Sequence, residues 1–434
     1  MKIAIIGTGI AGNYAAYRLA RHHDITVFES KDRVGGHTNT VEVQDSGRSL
    51  AVDTGFIVFN DVTYPNFLAL LDELDVASQP SDMGFSVTAG NGSFEYNGSS
   101  LNGLFAQRSN LLKPSFYGML GDILRFNREA PALIGHPELT LTLGEYLDQN
   151  GYSRKFTDHY ILPMGSAIWS ATADRMRAMP AVFFVRFFQN HGLLSVNERP
   201  QWRVIKGGSA RYVEKLVAGH RHRIRLNAAV QEVRRHPDHI EIKAKDCEPE
   251  RFDRVFMACH SDQALAMLAD PTPQEREVLG AIGYQRNEAV LHTDTSLMPR
   301  RRRAWAAWNY NIPGETLEHD NKVTLTYNMN ILQGLQASQQ YLVTLNNTAA
   351  IDPDRILRVI DYGHPIFTER AVAAQLRHRE IDGVRRTYFC GAYWRYGFHE
   401  DGVVSAMDAL QHFEEDSHGI GNDEMEQRYL RRAS

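Results

Sequence analysis

The chain of 434 residues predicts an α/β protein: a three-layer domain around a parallel sheet, interrupted by an inserted α+β domain of mixed sheet plus helices. Three observations carry this prediction. A β-α-β unit with glycines at its turn opens the chain, residues 111–188 read as mostly helical, and short alternating segments at 85–87, 288–292, 322–328 and 341–346 read as sheet.

The elements follow in order. Lys2-Ile3-Ala4-Ile5-Ile6 is a short apolar, β-branched run suited to a strand buried in a parallel sheet, and Gly7-Thr8-Gly9-Ile10-Ala11-Gly12 closes it. A helix starts there, with Ala11, Ala15 and Leu19 at i, i+4 and i+8 forming a small-residue face, and 24–29 reads as the second strand. Residues 66–74 form an amphipathic helix behind Tyr64-Pro65, and the Gly-, Ser- and Asn-rich stretch 83–110 suggests hairpins. Helices are expected at 143–149, 153–172 and, after Gly207-Gly208, 212–218; strands at 224–233, 240–245 and 254–258 precede a helix at 263–268. The segment 372–378 precedes a strand at 386–390, a last helix at 402–414 completes the order, and the polar residues beyond Asp416 read as a frayed tail.

Composition narrows the function. Apolar residues at 43% and charged residues at 23% exclude a disordered or coiled-coil chain. A net charge of -5 offers no attraction to phosphate backbones, so no nucleic-acid partner is expected. Cys247, Cys259 and Cys390 are too scattered for a disulfide framework, which fits a reducing, cytoplasmic setting. No apolar run is long enough to span a bilayer, and Arg18 and Arg21 follow the apolar start, so neither signal peptide nor spanning helix is expected.

The chemistry starts at Gly7, Gly9 and Gly12. The first allows the tight turn, the second lets the backbone approach a pyrophosphate, and the third lets helix and strand pack, with the helix N-terminus facing the negative charge. Glu29 ends the next strand, where a carboxylate accepts hydrogen bonds from ribose hydroxyls. A glycine-rich turn in an unrelated α/β protein is the plainer alternative.

The next residues, Glu29-Ser30-Lys31-Asp32-Arg33-Val34-Gly35-Gly36-His37-Thr38, add a basic residue and a second glycine pair. This resembles the Glu-x-x-x-Arg-x-Gly-Gly signature of the flavin-containing amine oxidase and phytoene desaturase superfamily, and Asp53-Thr54-Gly55-Phe56 resembles its next glycine segment. The resemblance implies FAD as cofactor, since a plain NAD-dependent dehydrogenase has no need of a second glycine pair. It also implies a Rossmann-like FAD-binding domain assembled from 1–80, 200–270 and 380–415, a substrate domain from 81–199 and 271–379, an active site in the cleft between them, and a tail at 416–434. Lys206-Gly207-Gly208 looks like the family's second visit to the FAD domain, with Val230 meeting the adenine. The third visit is 388–392, containing Gly391, followed by Gly397-Phe398-His399-Glu400-Asp401-Gly402, where the last helix would point its positive end at the flavin. Relatives often carry an acid after that glycine, where this chain has Ala392 and Tyr393. Phrases such as Leu162-Pro163-Met164-Gly165 and Tyr327-Asn328-Met329-Asn330 resemble a branch often encoded beside cyclopropane-fatty-acid-synthase-like methyltransferases, which implies an acyl-lipid substrate.

A flavin takes a hydride without any protein acid or base, so the catalytic candidates are few: His399, His364 and Tyr327. Tyr327, Trp394 and Tyr396 would make an aromatic wall over the flavin, although core packing is the commoner role. His220 with His222, and His236 with His239, lack further ligands at useful spacing, so no metal site is expected. Arg300 to Arg303 beside Trp305 and Trp308 suggest peripheral contact with an anionic membrane surface. The expected reaction is two-electron oxidation of a small molecule or acyl lipid. An amine oxidase acting on a soluble amine, a flavin-using isomerase and a non-catalytic flavin-binding partner of a lipid-modifying enzyme are the alternatives.

Overall fold

The computed structural model describes residues 1–135, 138, 140–195, 200–318 and 322–418. Packing divides them into two compact units, one from Met1–Gly36, Leu216–Gly280 and the described part of Ala374–Ser434, the other from His37–Lys215 and Ala281–Ala373. Residues 37–80 and 200–215, expected among the FAD-binding segments, thus pack with the second unit. Their strands join neither large sheet: Thr40–Asp45 pairs with Arg48–Asp53, and Phe59–Asn60 and Ser78–Pro80 flank Trp202–Ile205 in a small sheet of three.

The first unit is built on a five-stranded parallel sheet in the order Ile224–Arg225, Asp24–Phe28, Lys2–Ile6, Arg254–Met257, Thr387–Phe389. Ile3, Ala4 and Ile5 have no exposed surface, as an unbroken apolar run in a central parallel strand requires. The helix Ile10–Leu19 packs on this sheet and along the helix His399–His418. That last helix starts before the expected position 402 because Glu400 and Asp401 occupy its first turn, where acidic side chains complement the N-terminal dipole. Its continuation to His418 replaces the first residues of the expected tail; the rest of that tail, 419–434, lies outside the described residues. A three-stranded antiparallel sheet, Val230–Arg235, Ile240–Ala244 and Glu250–Phe252, completes the unit. It is tied to the helix Pro273–Leu279 by the buried Arg235 guanidinium, which bonds Glu275 through two nitrogens.

The second unit holds a seven-stranded mixed sheet in the order Ile356–Ile366, Gly283–His292, Leu342–Leu345, Leu325–Asn328, Trp308–Ile312, Phe85–Ala89, Phe94–Asn97. One pair, Trp308–Ile312 with Phe85–Ala89, is parallel. The longest strand, Ile356–Ile366, was not legible in the sequence: it is a half-exposed edge containing Gly363 and Pro365, residues that weaken a strand pattern. The helix expected at 153–172 breaks into Arg154–Phe156, a π-helical turn at Thr157–Ile161, and Leu162–Trp169. It ends at Ser170, whose φ of 52° is left-handed. Together the two units make the α/β fold with mixed sheets and helices that the sequence predicts.

Candidate functional site

The first unit carries a cradle at the end of its central strand. Gly7 has a φ of +107°, and a β-carbon there would lie 2.6 Å from the Ala258 carbonyl oxygen. At Gly12 it would lie 2.0 Å from the Gly7 oxygen, and at Gly36 2.9 Å from the Gly9 α-carbon. At Gly9, by contrast, it would meet nothing within 4 Å. Three glycines are thus required by the protein's own packing, whereas Gly9 faces space that a pyrophosphate would use. Gly9 caps the helix with no side-chain hydrogen bond, so no side chain competes for the amides at its N-terminus.

Thr8, which the motif reading passed over, joins the two glycine loops. Its N–H and hydroxyl both donate to Glu29 Oε2, and its carbonyl accepts from Gly35 N at 3.0 Å and from Asn13 Nδ2 at 2.7 Å. Glu29 Oε1 accepts from Lys31 N at 2.9 Å and from the Ser30 hydroxyl at 3.2 Å. The carboxylate is therefore held in place by its neighbours, and the Thr8 and Ser30 hydroxyls are the rotatable donors that ribose hydroxyls would replace. Arg33 donates to the Gly36 carbonyl at 2.9 Å, so it shapes the second glycine loop from its own backbone. Val230 begins its strand opposite Ala244 and is half-buried.

At the third segment, Gly391 N donates to Ser405 Oγ at 2.9 Å, which in turn donates to the Gly402 carbonyl at 3.0 Å. His399, Glu400 and Asp401 are all buried. Burial holds the His399 imidazole down to about 3, so it is neutral at neutral pH. Burial pushes the Asp401 carboxyl up to about 7, against the Phe398 N–H and the Arg395 charge, which favour its ionised form. Trp394 does not stand free as part of an aromatic wall: its ring stacks on His378 at 3.9 Å.

In the second unit, His37 and Thr38 continue the glycine loop. Thr38 shares a hydrogen bond with Tyr212 at 2.6 Å, and Phe56 packs edge-on against Phe67 and Tyr212. A β-carbon at Gly55 would lie 2.1 Å from the His37 oxygen, so glycine is needed where these two segments pair. The His37 ring stacks on Tyr362, with centroids 5.0 Å apart, and lies 5.5 Å from His364.

His364 and Tyr327 are brought together through two residues that the sequence reading missed, Asn287 and Ser170. Asn287 Nδ2 donates to His364 Nδ1 and to the Ser170 carbonyl, both at 2.9 Å. Asn287 Oδ1 accepts from Asn346 at 2.9 Å and from Gln285 at 3.3 Å, which fixes the amide's orientation. His364 Nδ1 is therefore an acceptor, and the proton of the neutral ring sits on Nε2. Tyr327 bonds the Ser170 side chain, packs edge-on against Trp308 at 4.9 Å, and is kept protonated by burial. No local sequence signal marks Asn287; it acquires its place from pairing across strands.

The Arg300–Arg303 run is partly structural, because Arg301 pairs with the buried Glu95 at 2.8 Å and Arg300 N donates to the same carboxylate. Trp308 lies half-buried at the start of its strand and packs edge-on against Tyr327. No helix among the described residues is long and apolar enough to cross a membrane.

The glycine cradle, the fixed acid and the open face at Gly9 suit a dinucleotide such as FAD within an α/β fold. The family model for flavin containing amine oxidoreductases matches residues 10–304, and the chain belongs to that family of flavin-dependent oxidoreductases, whose cofactor is FAD. The AofH protein of Mycobacterium tuberculosis, which carries the name of a flavin-containing monoamine oxidase, is 27% identical over 286 residues, covering 62% of this chain and 59% of that protein. The chain thus spans less than two thirds of the curated relatives it matches. Among solved structures, cyclohexylamine oxidase from Brevibacterium oxydans IH-35A superposes with a TM-score of 0.68 at 14% identity, over 96% of this chain and 99% of that one. A CLA-producing fatty acid isomerase from P. acnes superposes with a TM-score of 0.63 at 15% identity, over 95% and 98%. At these identities the structures share the fold.

Proposed function

We propose that this chain oxidises an oxygen-bearing acyl substrate by removing a hydride, with His364 placing the substrate. The observation that carries this reading is the Asn287 amide held against His364 Nδ1. Bound FAD supplies the two-electron acceptor. Because Nδ1 accepts from Asn287, the ring's donor is the Nε2–H, and His364 does not act as a base through Nδ1. Such a donor suits a carboxylate or ester oxygen and gives nothing to an ammonium cation. The same unit carries a buried aromatic cluster: Phe367, just past the strand that holds His364, packs on Phe183 at 5.1 Å, and Trp169 packs on Phe187 at 4.7 Å.

Access to acyl chains is the second part of the proposal. Leu101 and Leu112 are 79% and 86% exposed, and Leu111, Tyr117 and Leu124 are exposed on the same helical stretch. The helix Leu101–Leu104 packs on the turn Arg302–Ala304, so basic and apolar side chains share one surface suited to anionic lipid. The test is anaerobic incubation of the flavin-loaded protein with cell lipid extract and, separately, with a panel of primary amines. Bleaching of the flavin absorbance by lipid supports the proposal. Bleaching by amines alone replaces it with amine oxidation, and bleaching by neither leaves a non-catalytic flavoprotein.

A further inference from the structure

The turn between Val230–Arg235 and Ile240–Ala244 gathers residues that their spacing alone did not connect. We propose that His236, His239 and Glu241 bind a divalent transition ion, with zinc the best match. Each offers one ligand atom, and these atoms lie within 4.8 Å of one another. The two imidazoles face each other with centroids 4.4 Å apart and planes 10° apart. Both Nε2 atoms are buried and have no hydrogen-bond partner, a costly state for a polar atom unless something else satisfies it.

The surroundings point the same way. His239 Nδ1 bonds Asp238 Oδ1 at 2.8 Å, which places the proton on Nδ1 and leaves the Nε2 lone pair for a ligand, as in carboxylate–histidine–zinc arrangements. His236 N donates to the His239 carbonyl at 2.8 Å and closes the turn under the two rings. Glu241 stands two residues further along the strand, on the same face as His239. Arg234 and Arg251 lie opposite Glu241 across the neighbouring strands, and Arg386 donates to the Pro237 carbonyl at 3.0 Å. Arg234 is engaged by Glu232, and Asp238 with Glu241 supplies two negative charges against the remaining cations. Two imidazoles and a carboxylate make a tetrahedral zinc set with one position left for water. Bonds of about 2.1 Å require the ligand atoms to close to about 3.4 Å, which rotation of these half-buried side chains on a turn permits. The ion would fasten the hairpin whose first strand begins at Val230.

The full-length, flavin-loaded protein, stripped with a chelator and dialysed, is titrated with zinc by calorimetry. One site per chain is expected, with a higher thermal midpoint on binding. His236→Gln and His239→Gln should each weaken it at least tenfold, and Asp238→Asn by about tenfold. The double variant His236→Gln/His239→Gln should keep its far-ultraviolet spectrum and flavin while losing the site, and Glu241→Gln provides an independent check should that variant fold poorly. Absence of saturable zinc binding in the natural chain overturns the proposal. So does undiminished binding in the double variant, or in Glu241→Gln where the double variant does not fold.

Discussion

An added β-carbon on Gly402 would stand 2.6 Å from Cγ2 of Ile10. The opening turn of the last helix therefore lies directly against the opening turn of the helix behind the first glycine loop. Gly402→Ala should lower stability by about 1–3 kcal/mol through overpacking, seen as a lower thermal midpoint. In an Ile10→Ala background the penalty should shrink, because the clashing methyl is gone. If the two penalties simply add, this contact is not what requires glycine there.

The glycine cradle separates folding from cofactor binding. Gly9→Ala meets no protein atom within 4 Å, so it should leave the stability of the flavin-free chain unchanged while reducing flavin content on purification. Gly12→Ala places a β-carbon 2.0 Å from a backbone oxygen and should impair folding itself. Glu29→Ala should weaken FAD retention by about 1–3 kcal/mol, the worth of charge-assisted hydrogen bonds. Full flavin occupancy in both Gly9→Ala and Glu29→Ala would exclude this cradle as the nucleotide site.

Asp401 should give the flavin-free protein a pH-dependent stability. Its carboxyl titrates at 3.8 in the reference state and at about 7 in the fold. Between those values the folded chain holds a proton that the unfolded chain has lost. Stability therefore falls as pH rises through this window and levels off above it. Asp401→Asn should remove this slope, making the variant relatively more stable at neutral pH by up to about 4 kcal/mol. Parallel stability curves against pH for the two proteins would contradict the assignment.

The orientation of His364 is testable through Asn287. Asn287→Ala releases Nδ1 and lets the ring change tautomer, so kcat should fall about tenfold and the pH profile should shift. His364→Gln, which keeps an N–H donor, should retain more activity than His364→Ala. A profile unchanged by Asn287→Ala would mean that the amide does not govern the ring.

Lipid contact should follow the exposed leucines as well as the arginines. Co-sedimentation with anionic vesicles at low salt is expected for the natural chain and should weaken at high salt. Replacing Leu111 and Leu112 with serine, or Arg302 and Arg303 with glutamine, should each reduce it. Arg301 is a poor choice for such a test because it pairs with buried Glu95. A natural chain that ignores anionic vesicles at low salt would remove the membrane route.

How much of this was legible depended on the range of the interaction. Lys2–Ile6, Ile10–Leu19 and Asp24–Phe28 could be read directly because strand, turn and helix are local and each carries its own apolar period. Thr8 escaped notice because its importance lies in hydrogen bonds to Glu29 and Gly35, 21 and 27 residues further on, not in its own neighbourhood. The same holds for Asn287, which lies 77 residues from His364 and 117 from Ser170. Gly402 was visible as a motif residue, but the methyl of Ile10 that requires it was not.

The parallel sheet has one further consequence, for synthesis of the chain. Its last strand, Thr387–Phe389, lies at the edge and pairs with Arg254–Met257, so the sheet is completed only after residues up to Phe389 have left the ribosome, more than 130 residues after Met257. Until then Arg254–Met257 presents an open apolar edge, the kind of surface to which other nascent chains add as strands. The second unit, made of one long early segment and a later return, is complete before that edge is covered. A chain stalled ahead of Thr387 should therefore depend on chaperones for its solubility.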